Sequence, residues 1–122
     1  MIRYKEIAFT AYPVTDIGRA RKFYEGVLGL KPNAPLKAED QKWIEYNLGP
    51  GTLGIGCSPQ WKPSPDGPST ALEVEDFDAA VATLREHKVP IIIGPLALPS
   101  CSMATVQDPD GNKITLHRRK EA

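Results

Sequence analysis

Three side chains of this 122-residue chain have the types needed for acid–base chemistry or for binding a divalent metal ion: Glu45, Glu73 and His117. One imidazole with two carboxylates is a possible metal shell, and the same groups can transfer protons without a metal. Their spacing matches no diagnostic motif, so a second interpretation stands beside the chemical one. In it, the two glutamates lie near strand ends or in a wet cleft, and His117 begins a solvated tail.

These candidates lie in stretches with the period-two alternation of β-strands, on faces that are mixed rather than apolar. Gly54 and Gly56 occupy one such face, and glycine inside a strand often marks a close approach of another group. The predicted strands are Glu6–Val14, Lys42–Leu48, Thr52–Ser58, Ser69–Glu75, Val89–Leu98, Ser102–Gln107 and Lys113–His117. A polar, proline-bearing connection spans Lys31–Asp40.

The stretch Ala11–Leu30 recurs in fainter form from Ala71 onwards, so the chain reads as one unit written twice. The matched pairs are Ala11 with Ala71, Val14 with Val74, Asp16 with Asp76, and Ala20 with Ala80. In both copies a strand leads into an Asp that can cap a helix, and apolar residues then recur at helical spacing. Each half is therefore predicted as strand, helix and three strands, and the first of those three strands in the first half is the one without assigned bounds. We expect eight strands whose mixed faces curl around a shared cleft.

The bulk composition excludes several classes of protein. Lys plus Arg and Asp plus Glu both count 15, so there is no basic excess for nucleic-acid binding. No apolar run reaches the length of a membrane span, and the N-terminus does not resemble a signal peptide. Cys57 and Cys101 are far apart in the chain, which is typical of free thiols in a cytoplasmic protein.

Two motifs carry a resemblance to a known family. Phe23-Tyr24 with Val27-Leu28-Gly29-Leu30, preceded by Val14-Thr15-Asp16, resembles the first module of the vicinal oxygen chelate superfamily, and Asp108-Pro109-Asp110-Gly111-Asn112 resembles its closing hairpin. That superfamily includes glyoxalase I, bleomycin-resistance proteins and extradiol dioxygenases. The resemblance implies an α+β domain over 1–122 with two paired βαβββ modules, about 1–58 and 69–122, joined by a linker at 59–68. It also implies a homodimer and, in the enzymes, one divalent metal ion in the cleft.

The resemblance also supplies a test for that metal. The positions that hold metal ligands in glyoxalase I are matched here by Phe9, Gly54, Ser69 and Thr115. Phenylalanine and glycine have no ligand atom in the side chain, and neutral hydroxyls are poor ligands. We therefore expect no metal site and no cofactor, and we do not expect glyoxalase I-type lyase activity.

A metal-free member of the family is expected to bind a small molecule, partly aromatic or cationic, in the cleft between the modules. The expected lining residues are Phe9, Trp43, Glu45, Gly54, Ser69, Thr115 and His117. Two alternatives stay open: an enzyme with relocated metal ligands or metal-free acid–base residues, and a subunit whose cleft is completed by a partner chain. Trp61, in the linker, is either a lid or an anchor.

Overall fold

A computed structural model describes residues 1–34 and 41–120. The chain divides into two compact units, Met1–Lys62 and Pro63–Ala122, and this division falls inside the predicted linker. Each unit has its own β-sheet and its own helix, so the protein is of the α+β class. No helix in the described part of the chain is long and apolar enough to cross a membrane.

The first unit contains a three-stranded sheet and one helix, formed by β1 (Thr10–Pro13), α1 (Ile17–Arg21) with a π-helical continuation (Lys22–Val27), β2 (Trp43–Leu48) and β3 (Gly51–Gly56). The strand order is β1-β3-β2, with β1 parallel and β2 antiparallel to β3. The first and last strands of this unit, β1 and β3, are thus neighbours although they are far apart in the chain.

Helix α1 begins where the sequence predicts it. The Asp16 carboxylate accepts a 2.9 Å hydrogen bond from the Arg19 backbone N–H, which satisfies one of the free donors of the first turn. The helix then widens, because the Leu28 N–H bonds to the Phe23 carbonyl five residues back. Gly29, at φ +73°, closes it in the left-handed conformation that favours glycine.

The helix packs on one face of the first sheet through an apolar core. Phe23 and Tyr24 are buried, and the Tyr24 and Tyr46 rings stack with their centroids 6.3 Å apart. Arg21 pairs with Glu25 at 2.7 Å, and Glu25 also accepts a 2.9 Å hydrogen bond from the Tyr46 hydroxyl, so both charged side chains are half-buried.

The second unit has the order strand, helix and three strands that the sequence predicts. Its elements are β4 (Thr70–Glu73), α2 (Phe77–Glu86), β5 (Ile91–Ala97), β6 (Cys101–Gln107) and β7 (Lys113–Arg119). The sheet order is β4-β7-β6-β5, with β4 parallel to β7. First and last strands are again parallel neighbours, as in the first unit.

Local signals also define the ends of elements in the second unit. Asp76 caps α2 by accepting a 3.0 Å hydrogen bond from the Ala79 N–H, as Asp16 caps α1. Between β6 and β7, Asp108 is buried and its carboxylate accepts from the backbone N–H groups of Asp110 and Asn112, both at 2.9 Å. The predicted reverse turn therefore forms, held by the first residue of its own motif.

Two differences from the sequence prediction affect the site. Strand β1 begins at Thr10 rather than Glu6, so Phe9 lies just outside it and is half exposed. The first unit shows three of its four predicted strands. The connection Lys31–Asp40 is described only as far as residue 34, where Pro32 bridges to Tyr46, and residues 35–40 lie outside the described part. The shared cleft stays a prediction.

Candidate functional site

The face of the first sheet opposite α1 is shaped by the pairing of β2 with β3. Trp43 lies opposite Gly56, and Glu45 lies opposite Gly54, so two large side chains face two positions that have none. A Cβ atom at Gly54 would stand 2.7 Å from Trp43 Cζ2, and one at Gly56 would stand 2.8 Å from Trp43 Cε3. The indole therefore lies across both glycines. The close approach that the glycines predicted is made by the chain's own Trp43.

Two further rings lie on this face. Phe9 packs against Trp43 edge to face, with centroids 5.4 Å apart and ring planes at 79°. The Trp61 ring reaches the same place, because a Cβ at Gly56 would stand 2.9 Å from Trp61 Cζ3. Trp61 is thus an anchor onto the first unit, with 37% of its surface exposed. We call the surface formed by Phe9, Trp43, Glu45, Gly54, Gly56 and Trp61 the aromatic face.

Glu45 adds a negative charge to the aromatic face. Its Oε2 accepts a 3.1 Å hydrogen bond from the indole N–H of Trp43, two residues earlier on the same strand. Arg21 pairs with Glu25 and His117 with Glu73, and no Lys, Arg or His among the described residues forms an ion pair with Glu45. The carboxylate is half-buried beside aromatic rings, where opposite charge is attracted more strongly than in bulk water.

In the second unit, Glu73 and His117 lie opposite each other on the parallel strands β4 and β7. His117 Nδ1 is 2.6 Å from Glu73 Oε1, while Glu73 Oε2 accepts a 2.6 Å hydrogen bond from the Arg119 backbone N–H. These contacts, that of Arg119 first, hold the pKa of the Glu73 carboxyl below its usual range. An ionised Glu73 bonded to Nδ1 leaves the other ring nitrogen of His117 to accept or donate a proton.

The remaining predicted site residues of the second unit differ in environment. Thr115 is buried and its hydroxyl lies 2.7 Å from that of Thr105 on the neighbouring strand. Ser69 is exposed and precedes the first residue of β4. The structure therefore brings Phe9, Trp43, Glu45 and Gly54 together in the first unit, and it brings Glu73 together with His117 in the second.

The residues that the resemblance matches to metal-ligand positions have other contacts in the structure. The Phe9 ring packs on Trp43, the indole of Trp43 covers Gly54, and the Thr115 hydroxyl is held by Thr105. Among residues 1–34 and 41–120, no three His, Cys, Asp or Glu side chains form a group that could hold a metal ion. The absence of a metal in the protein stays a prediction.

Two features of the structure were not predicted from the sequence. Trp61 is part of the aromatic face, although it lies in the linker and has no periodic relation to Trp43. The group of Arg21, Glu25 and Tyr46 lies on the helix side of the sheet. The spacing of Arg21 and Glu25, four residues apart on a helix, was a signal for their ion pair, but no local pattern indicated Tyr46.

A comparison with family models matches residues 6–116 to the Glyoxalase/Bleomycin resistance protein/Dioxygenase superfamily. A comparison with curated proteins gave no match.

Solved structures resemble the chain over nearly its whole length. A putative glyoxalase family protein from Bacillus anthracis is 22% identical, with 98% of this chain and 100% of that one covered at a TM-score of 0.80, which shows the fold. An antibiotic binding protein from Streptomyces sp. CB03234 is 26% identical, with 98% and 100% covered at 0.78. A glyoxalase/bleomycin resistance protein from the same organism is 28% identical, with 91% and 98% covered at 0.74.

Proposed function

Because the chain belongs to the Glyoxalase/Bleomycin resistance protein/Dioxygenase superfamily, we propose that it binds a small, partly aromatic or cationic molecule on the aromatic face. The observation that carries this proposal is the Trp43 indole, which lies across Gly54 and Gly56 and is held there by Phe9 and Glu45. A side chain held in place before the ligand arrives loses little conformational freedom on binding, which favours affinity. The likeness to an antibiotic binding protein supports a binding role.

The two tryptophans of the chain are Trp43 and Trp61, so intrinsic fluorescence reports on the aromatic face alone. The protein would be titrated with benzyl alcohol and with benzyltrimethylammonium, and the Trp emission followed. We expect a saturable change with at least one probe. Trp43→Leu should remove it, whereas Tyr4→Leu, at a residue 85% exposed, should not. Because Trp43→Leu lacks one of the two fluorescent tryptophans, its binding is also measured by calorimetry. If neither probe binds the wild-type protein saturably, the proposal is wrong.

The proposed site needs no metal ion or other cofactor. This follows from the chemistry of Phe9, Gly54, Ser69 and Thr115, which offer at most two neutral hydroxyls as ligands. Elemental analysis of protein purified without added metal or chelator tests it. A stoichiometric divalent ion in that protein would overturn the metal-free proposal and would favour an enzyme with relocated ligands.

Metal-free acid–base catalysis is a second candidate function, favoured by the contact of Glu73 with His117. In this candidate the carboxylate orients the ring, and the free ring nitrogen removes a proton from an acidic C–H group of a carbonyl compound. The test is NMR-detected replacement of such protons by deuterium in heavy water, with acetone and pyruvate as probes. Exchange above the buffer rate that His117→Gln removes would support catalysis. Exchange at the buffer rate alone would exclude it for these carbonyl probes.

We also propose that the protein is a cytoplasmic homodimer. The family resemblance supports the dimer, and the two cysteines, both free, suit a reducing compartment. Light scattering coupled to size-exclusion chromatography gives the mass in solution, for comparison with 13.4 kDa for one chain. A mass of one chain across the micromolar range would rule out the dimer.

A further inference from the structure

Resting on the binding function proposed above, we infer that the aromatic face selects an organic cation, and that a quaternary ammonium group is the chemistry it recognises. The inference concerns the sign of charge that the face accepts. It combines the arrangement of the three rings with the carboxylate of Glu45, which has no ion-pair partner among the described residues.

The three rings offer aromatic surface in more than one direction. Phe9 and Trp43 stand at 79° to each other, so they form a corner rather than a flat stack, and Trp61 adjoins this corner at Gly56. Phe9 is 50% exposed and Trp61 is 37% exposed, while Trp43 is half-buried. The faces of aromatic rings carry negative electrostatic potential, and several rings around one cation attract it together.

Glu45 decides between a cationic and a neutral ligand. Its carboxylate is fixed beside the corner by the 3.1 Å hydrogen bond from Trp43, and no Lys, Arg or His among the described residues forms an ion pair with it. Rings and carboxylate therefore contribute potential of the same sign. A cation is attracted by both, a neutral molecule gains only contact with the rings, and an anion is repelled.

The rings favour a quaternary ammonium over a primary one. The Phe9 and Trp43 rings offer no hydrogen-bond acceptor, and one oxygen of Glu45 already accepts from the indole N–H, so an NH₃⁺ group at the corner would leave hydrogen bonds to water without replacing all of them. A quaternary nitrogen has no N–H group and spreads its charge over methyl groups. It can leave water and pack against rings without that loss.

Choline and 3,3-dimethylbutan-1-ol test the inference, because they have the same shape and differ in a charged nitrogen against a neutral carbon. Each would be titrated into the full-length protein and followed by Trp emission, with calorimetry as a second measurement. We expect choline to bind about tenfold more tightly, because the Glu45 carboxylate and the adjoining rings both attract a cation. Raising the salt concentration should weaken choline binding and leave the neutral compound unaffected.

Glu45→Gln isolates the charge, since glutamine can still accept the hydrogen bond from Trp43. We expect this variant to lose most of the preference for choline while its affinity for the neutral compound is unchanged. Glu86→Gln, the same change at an exposed residue of α2, is the control and should behave like the wild type.

The outcomes separate the two proposals. Equal affinity for choline and its neutral isostere, or a preference that Glu45→Gln does not reduce, overturns the inference, and binding of benzyl alcohol would still support the proposed function. If no probe binds, neutral or cationic, the proposed function fails and the inference fails with it.

Discussion

Replacing Gly54 by alanine is expected to displace Trp43 and to destabilise the first unit. The added methyl carbon would lie 2.7 Å from Cζ2 and 2.8 Å from Cη2 of the indole. Carbon atoms in good contact are about 3.5–4.0 Å apart, so the ring must move by roughly 1 Å. The ring is also bonded to Glu45 and packed on Phe9, and both contacts would be disturbed by that movement.

The magnitude follows from these contacts. Adding one methyl group to a well-packed site costs about 1–3 kcal/mol, and an aromatic pair contributes about 0.5–1.5 kcal/mol beyond its buried area. We therefore expect Gly54→Ala to lower the free energy of unfolding by about 2 kcal/mol, since relaxation of the ring relieves part of the clash. With a urea m-value of about 1–3 kcal/mol per molar, the unfolding midpoint should fall by about 1 M.

Trp emission during urea unfolding follows this change, because both tryptophans belong to the first unit. Gly26→Ala is the matched control: a Cβ at Gly26 meets nothing within 4 Å, and its φ is not in the left-handed region. Alanine there should raise the free energy of unfolding by about 0.5–1 kcal/mol, because it restricts the unfolded chain. If Gly54→Ala unfolded at the wild-type midpoint, or moved in the same direction as Gly26→Ala, the indole could not lie where we describe it.

Urea unfolding also tests three other contacts. Thr115→Val should lower the free energy of unfolding by about 1–2 kcal/mol, because it leaves the buried Thr105 hydroxyl without its partner. The double variant Thr105→Val/Thr115→Val should unfold close to the wild type, and additive losses would contradict this. Folding lowers the pKa of Glu25, mainly because the carboxylate accepts a hydrogen bond from Arg21. The stability that Glu25 contributes is therefore present above its unfolded pKa of about 4.3, and it is lost as the pH falls through the lower pKa of the folded state. Glu25→Gln should therefore lower the free energy of unfolding by about 2 kcal/mol at pH 7 and by less at pH 3. An equal loss at both pH values would refute this pH dependence. Asp108→Ala should lower the free energy of unfolding by about 2 kcal/mol, because the backbone hydrogen bonds to the Asp108 carboxylate are lost. Asp66→Ala, at an exposed residue, is the control and should leave it unchanged.

Much of the fold was predictable because its signals are local. A cap such as Asp16 or Asp76 bonds to a backbone N–H three residues away, and the turn at Asp108 bonds to atoms within four residues. Each signal therefore lies entirely inside a short stretch of sequence. The internal repeat then predicted the same arrangement for both units, and the parallel pairing of first and last strands is present in each.

The candidate site was predictable only as a set of faces. Strand alternation correctly put Trp43 and Glu45 on one side of β2 and Ile44 on the other, because side chains alternate along any strand. It carried no information on the pairing that places Trp43 against Gly56. The beginning of β1 was also missed, since its length depends on hydrogen bonds to β3 rather than on its own residues.

The sequence by itself determined the family and the residue types, among them Phe9 and Gly54 at positions that the resemblance matches to metal ligands. Only the tertiary structure decided that Phe9, Trp43 and Trp61 lie on one face. It also decided that Glu25 accepts a hydrogen bond from Tyr46 and that Glu73 contacts His117. The physical reason is distance along the chain. Such contacts depend on strand register and on where a linker returns, and these are set by the packing of the whole unit rather than by neighbouring residues.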